Sequence, residues 1–150
     1  MQYFHVLPGN SYSDSELNVL LNPNVTKEDL IKFKQYFDLH PSKAKQMQWE
    51  WEEISRSKLS DDFINIFSDY LSWSDISEYQ DLSEEMIEKY ANKVNWRYIS
   101  KFQNLSEDFI RKHKNDVDWK KISYYQENLS IPFIEEFINY LDLERNNCKL

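Results

Sequence analysis

Apolar and polar positions along the second two-thirds of this chain repeat with a period of about 23 residues. Trp51, Trp73, Trp96 and Trp119 stand 22, 23 and 23 residues apart. Each is followed by Ile-Ser, at Ile54-Ser55, Ile76-Ser77, Ile99-Ser100 and Ile122-Ser123. Leu-Ser comes next, at Leu59-Ser60, Leu82-Ser83, Leu105-Ser106 and Leu129-Ser130. An apolar pair then closes the phrase: Phe63-Ile64, Met86-Ile87, Phe109-Ile110 and Phe133-Ile134. Self-similarity at a short fixed period marks units that bury their apolar faces only against neighbours, as in a solenoid.

Within one period the spacing predicts two helices. Asn95 is a good N-cap, and Trp96, Ile99 and Gln103 share one face of a helix of about two turns. Asn104 breaks it. Ser106 caps a second helix, with Glu107 and Asp108 in its first turn, where carboxylates offset the helix dipole. Phe109, Ile110, His113 and Val117 extend an apolar stripe toward Asp118, the next cap. Ser72 and Asp118 stand where Asn95 does; Phe67, Tyr90 and Phe137 stand where His113 does. The first unit is one residue short before Leu59. The last gains one, which puts Leu143 rather than a tryptophan at the next seam, as an end cap would. Helices this short are marginal alone. Each indole is therefore expected to be buried between neighbouring units, contributing about 3–5 kcal/mol against truncation to alanine.

Before the repeats the pattern changes. Met1–Gly9 reads as a short strand or extended arm. Ser13 and Glu16 form a capping box for a short helix through Leu17, Leu20 and Leu21, ended by Asn22-Pro23. Thr26 and Asp29 open a second helix with an apolar face of Leu30, Ile31, Phe33, Tyr36 and Phe37, closed by His40-Pro41. The expected architecture is all-α and one continuous domain: an N-terminal arm and helical cap over 1–50, a short right-handed solenoid of about four two-helix repeats over 51–143, and a tail over 144–150.

The phrase W-x-x-I-S-x-[YF]-Q-x-L-S-E-[DE]-F-I, clearest from Trp96 to Ile110, resembles the short helical repeats found in proteins of bacteriophages and large DNA viruses. The resemblance covers roughly 51–143. It implies a viral origin and a solenoid, and it carries over no catalytic residues.

Composition narrows the chemistry. Gly9 is the one glycine in 150 residues, which removes the phosphate-cradling loop, the dinucleotide fingerprint and the glycine-flanked nucleophile turn. The lone Cys148 has no internal disulfide partner, and its place near the end favours an inert thiol in a reducing compartment. His5, His40 and His113 are far apart and show no metal-ligand spacing. His113 fills a slot taken elsewhere by Phe or Tyr, so it reads as a core residue. The repeated Gln80, Gln103 and Gln126 and the repeated serines read as structural, satisfying backbone groups at the turns of the adjoining unit. No catalytic residue, metal or cofactor is expected. No apolar run reaches transmembrane length and no N-terminal signal is evident, so a cytoplasmic location is expected, that of the host if the gene is viral.

Charge is the feature that bears most on function. The net charge of −8 disfavours unspecific binding to nucleic acid or an anionic membrane. From Leu59 to Glu88 there are nine acids and no base; from Lys89 to Lys121 there are nine bases against four acids. Stacking converts this order into an acidic band beside a basic one. The leading expectation is a non-catalytic protein–protein interaction module: a phage- or virus-encoded inhibitor that docks Asp61, Asp62, Asp75, Glu78, Glu84 and Glu85 on a basic surface of a host defence or nucleic-acid-handling protein, in mimicry of a polyanion. Two alternatives stand beside it. One is a nucleic-acid binder using Lys93, Arg97, Lys101, Arg111 and Lys114, with Tyr98 and Phe102 for stacking. The other is self-association of acidic and basic bands.

Overall fold

Caps, more than intrinsic propensity, set where the helices of this chain begin. The computed structural model describes residues 19–142, and every regular element among them is helical. These residues fall into two compact units, 19–54 with 59–71 and 55–58 with 72–142. The expected N-terminal arm, the Ser13 capping box, His5, Leu143, Cys148 and the tail lie outside the described residues.

In the first unit the Thr26 hydroxyl accepts the Asp29 N–H while the Asp29 carboxylate accepts the Thr26 N–H, completing the expected capping box of α1 (Lys27–Leu39). His40 ends that helix, but Pro41 immediately opens another, α2 (Pro41–Gln46). A proline at the first helical position loses no hydrogen bond, and its fixed φ suits a helix start. The His40-Pro41 stop expected from the sequence is thus also a second helix start. The next helix, α3 (Gln48–Arg56), begins three residues before Trp51, and α4 (Asp61–Phe67) follows, capped by Ser60. Helix α1 packs on α2 and α4. Of the apolar face expected on α1, Leu30 and Phe37 are buried, whereas Ile31 is exposed. The core is aromatic. The Trp51 ring lies 5.3 Å from Phe37, 5.4 Å from Phe67 and 5.3 Å from Tyr70.

The second unit contains three Trp-initiated helix pairs: α5 (Trp73–Tyr79) with α6 (Glu84–Lys89), α7 (Trp96–Phe102) with α8 (Glu107–Lys112), and α9 (Trp119–Tyr125) with α10 (Ile131–Glu136). Helix α7 packs against both α5 and α9. Ser72, Asn95 and Asp118 cap the first helix of each pair; Ser83, Ser106 and Ser130 cap the second. The second helices are shorter than their apolar stripe suggested. Helix α8 stops at Lys112, and Val117 returns to the core through a turn in which its N–H donates to the His113 carbonyl at 3.0 Å. Val94 and Leu141 repeat this turn on Tyr90 and Phe137. One helical turn and one such bend place a residue on the same side, so the spacing alone does not separate them.

Two polar ladders tie these pairs together. Each repeated serine accepts the N–H of the next cap: Ser55 from Ser72, Ser77 from Asn95, Ser100 from Asp118 and Ser123 from Asp142, all at 2.9 Å. Ser77 and Ser100 also donate to the carbonyls of Trp73 and Trp96 at 2.6 Å. Gln103 donates from Nε2 to the carbonyls of Ser77 and Gln80, at 3.1 and 2.8 Å, while its Oε1 accepts the Leu82 N–H at 2.9 Å. Gln126 repeats this one unit later on Ser100, Gln103 and Leu105. Gln80 reaches back to Ser55 and Ser57 in the same way. Each glutamine thus satisfies backbone groups that the short helices leave unpaired at their ends.

The tryptophans of these pairs are less buried than expected. Ile76, Ile99 and Ile122 are fully buried, whereas Trp73, Trp96 and Trp119 are only half-buried. Each indole lies on the aromatic that ends its own pair: Trp73 on Tyr90 at 4.5 Å, Trp96 on His113 at 4.7 Å and Trp119 on Phe137 at 4.8 Å. The Trp96 and Trp119 N–H groups donate to the carbonyls of Ala91 and Lys114, at 3.0 and 2.9 Å. An indole at the first helical position points to the rim of its pair, and the side chains one turn later fill the seam. The residue gained in the last unit is absorbed at Asn128, which takes φ 69°, a left-handed value that asparagine tolerates.

Candidate interaction surface

The acids singled out in the sequence meet different fates. In the first unit Asp61 and Asp62 open α4, and Asp62 pairs with Lys27 at 2.8 Å. In the second unit Asp75 pairs with Arg56 at 2.8 Å, its side chain only 13% exposed. Glu84 accepts the N–H of Ser106 at 2.6 Å, and Glu107 repeats this contact on Ser130, so the first glutamate of these second helices is a link between pairs. Glu78 and Glu85 make no hydrogen bond or ion pair among the described residues. Within the α5–α6 pair and its connecting loop, Glu78, Asp81 and Glu85 are therefore the available acids; Glu127 and Glu135 are exposed farther along the second unit.

The bases divide just as sharply. Arg111 is engaged by Glu136 and Asp108, both at 2.8 Å, and its guanidinium lies 5.1 Å from the Phe133 ring. The Glu136 hydrogen bond, ahead of Asp108, raises its pKa further. Lys112 pairs with Glu88 at 3.0 Å. Glu88 also meets His113 Nε2 at 2.7 Å, and this bond, ahead of Lys112, holds its carboxyl below the ordinary value. His113 itself is buried, as its place in the repeat suggested, with Nδ1 3.0 Å from Asp116 and its ring on Trp96 and Phe109.

Helices α7 and α9 differ from all of this. Between them they carry Arg97, Lys101, Lys120 and Lys121 and no acid. None of the four pairs with a carboxylate among the described residues. Instead the Lys101 ammonium sits 4.3 Å from the Phe102 ring and 5.3 Å from the Tyr125 ring, and Lys121 lies 5.7 Å from Tyr125. Tyr79, Phe102 and Tyr125 occupy one repeat position and are all exposed, 54%, 42% and 42%. Tyr124, 54% exposed, stands 5.4 Å from Tyr125, and Tyr98 stands 5.9 Å from Phe102. The row α5, α7, α9 thus runs from an acidic member to two basic, aromatic ones. Of the basic candidates from the sequence, Arg97 and Lys101 belong to this face. Arg111 and Lys114 do not lie on α7 or α9: Arg111 is on α8 and Lys114 is exposed in the turn after it. Lys93 is half-buried before α7. Lys120, Lys121, Tyr124 and Tyr125 were not among the candidates, although aligning the repeats by their tryptophans places them beside Arg97, Lys101 and Phe102.

Among the described residues no group of His, Cys, Asp or Glu is arranged to hold a metal ion, and no helix is long and apolar enough to cross a membrane. No family model, curated protein or solved structure matches the chain.

Proposed function

We propose that this chain is a non-catalytic protein–protein interaction module, a right-handed stack of Trp-initiated helix pairs that presents a bipolar outer face. One observation supports this above others. The polar residues constant from repeat to repeat, Ser and Gln, are consumed by inter-repeat hydrogen bonds, while the charged residues, which vary from repeat to repeat, lie mostly outside. A scaffold with fixed interior and variable exterior is how repeat proteins build binding surfaces. In its most concrete form the module is a phage- or virus-encoded inhibitor that engages a basic host partner through its free acids. Around the α5–α6 pair those are Glu78, Asp81 and Glu85, rather than the full run of six carboxylates, because Asp75 and Glu84 are engaged within the fold.

The test is capture of a partner from host lysate by the wild-type chain and by Glu78→Lys/Glu85→Lys, with circular dichroism to establish that both are folded. Loss of a specific captured protein at low salt supports docking through the acids. The same partner retained at full yield removes the electrostatic part of the reading.

A further inference from the structure

Four cations on two adjacent short helices repel one another, and none of them has a carboxylate partner among the described residues, although the chain is acidic as a whole. The cations alternate with rings. Lys101 bridges Phe102 of its own helix and Tyr125 of the next, so the cluster is continuous across α7 and α9. Every exposed or half-exposed apolar side chain on these two helices is aromatic; their isoleucines, Ile99 and Ile122, are buried. A face for an apolar peptide would carry aliphatic side chains as well. Flat rings with cations beside them suit a ligand that has flat faces and regularly spaced negative charge.

We infer that the α7–α9 face binds single-stranded nucleic acid, its phosphates meeting Arg97, Lys101, Lys120 and Lys121 and its bases stacking on Phe102, Tyr124 and Tyr125. Base–aromatic stacking tolerates any sequence, because every base has a π-face. Packed helices lie about 8–10 Å apart, so the two rows of cations are spanned by about three phosphates at the spacing of a stacked strand. The acidic remainder of the chain opposes long-range capture. Binding is therefore short-ranged and modest, and it fades quickly with salt. This site is independent of the acidic docking proposed above and uses none of its residues.

Fluorescence anisotropy of a labelled oligothymidylate of about 15 nucleotides tests it, with a labelled tyrosine-containing glutamate-rich peptide as the competing ligand class. The oligonucleotide is expected to bind at about 50 mM salt. The slope of log affinity against log salt is expected between about −2 and −3, for up to four neutralised phosphates. Lys120→Glu/Lys121→Glu is expected to weaken binding at least tenfold, and Tyr125→Ala severalfold. Arg97→Glu serves as a second charge variant should the first fail to fold by circular dichroism. Glu78→Lys/Glu85→Lys is expected to bind at least as well as the wild type. No binding at low salt overturns the inference. So does binding indifferent to the lysine, arginine and tyrosine variants. Tighter binding of the acidic peptide than of the oligonucleotide overturns it too, and makes this a protein-docking face.

Discussion

Trp51 and Trp96 stand at the same place in the same phrase, three residues before Ile-Ser, yet they live in different surroundings. Trp51 is 3% exposed, in an aromatic core with Phe37, Phe67 and Tyr70. Trp96 is half-buried at the rim of its pair, held by His113, Phe109 and a hydrogen bond to Ala91. The difference lies in what each unit offers. The first unit brings a long helix, α1, across the indole and has no glutamine at the ladder position. The second unit builds its seam from isoleucine, serine and glutamine and leaves the indole outside it. One phrase thus fixes the register of helices in both units, while the neighbours decide whether its largest side chain is core or edge.

Truncating the two tryptophans separates these roles most strongly. Trp51→Ala removes a fully buried ring with three aromatic contacts, and is expected to cost about 3–5 kcal/mol. Trp96→Ala removes half-buried area, one stacked pair and one hydrogen bond, and is expected to cost about 1–3 kcal/mol. Urea unfolding of both variants, followed by far-ultraviolet circular dichroism, checks the order. Equal losses would mean that the half-buried indole is a seam residue after all.

The ladder should be nearly as costly to break as the aromatic core. Gln103→Ala orphans the Leu82 N–H and the carbonyls of Ser77 and Gln80, around a side chain that is itself buried. At about 1–3 kcal/mol for a buried group left unpaired, with some relaxation, the expected loss is about 2–4 kcal/mol. Gln126→Ala, at a half-buried position, is expected to lose less. Amide exchange at Leu82 reads the broken bond directly: it should speed up in Gln103→Ala and stay unchanged in Gln126→Ala.

What the sequence made legible follows the same division. Ser100 and Gln103 were readable as structural, because a polar residue kept at one position in successive units must serve something the units share. The helix pairs and their caps were readable for the same reason. Ion pairs were not. Arg111 and Arg97 look alike in the chain, but the partner of Arg111 is Glu136, 25 residues on and one pair later, whereas Arg97 has none among the described residues. Glu84 is surface charge in the sequence, and only the fold brings the N–H of Ser106 to it. Indole burial is not legible either, because size and repetition do not distinguish the rim of a pair from the centre of the seam, which isoleucine occupies. Proline at 41 signals a helix end and a helix start equally well in sequence, and here it serves as both.

The smallest expected effects are those of pH, and they fall at opposite ends of the scale in the two units. In the first unit, burial, aided by the hydroxyl's bond to Asp38 at 2.6 Å, pushes Tyr70 up to about 12. A phenol whose folded pKa lies above its unfolded one adds stability that is whole below about pH 10. That stability is lost as the pH rises toward 12. Tyr70→Phe should remove the late tyrosinate component in an ultraviolet titration and flatten the alkaline limb of stability. In the second unit the shift runs the other way. The bonds from His113 and then Lys112 lower the pKa of Glu88, so the carboxylate's contribution is present above the ordinary glutamate range. It fades as the pH falls through the depressed value. His113→Phe keeps a ring on Trp96, as Phe137 does on Trp119, but withdraws the larger of the two bonds. The Glu88 carboxyl followed by NMR should then titrate closer to an ordinary glutamate. A Glu88 titration unmoved by this change would assign the depression to Lys112. His113 would then be only the aromatic that its slot in the repeat demands.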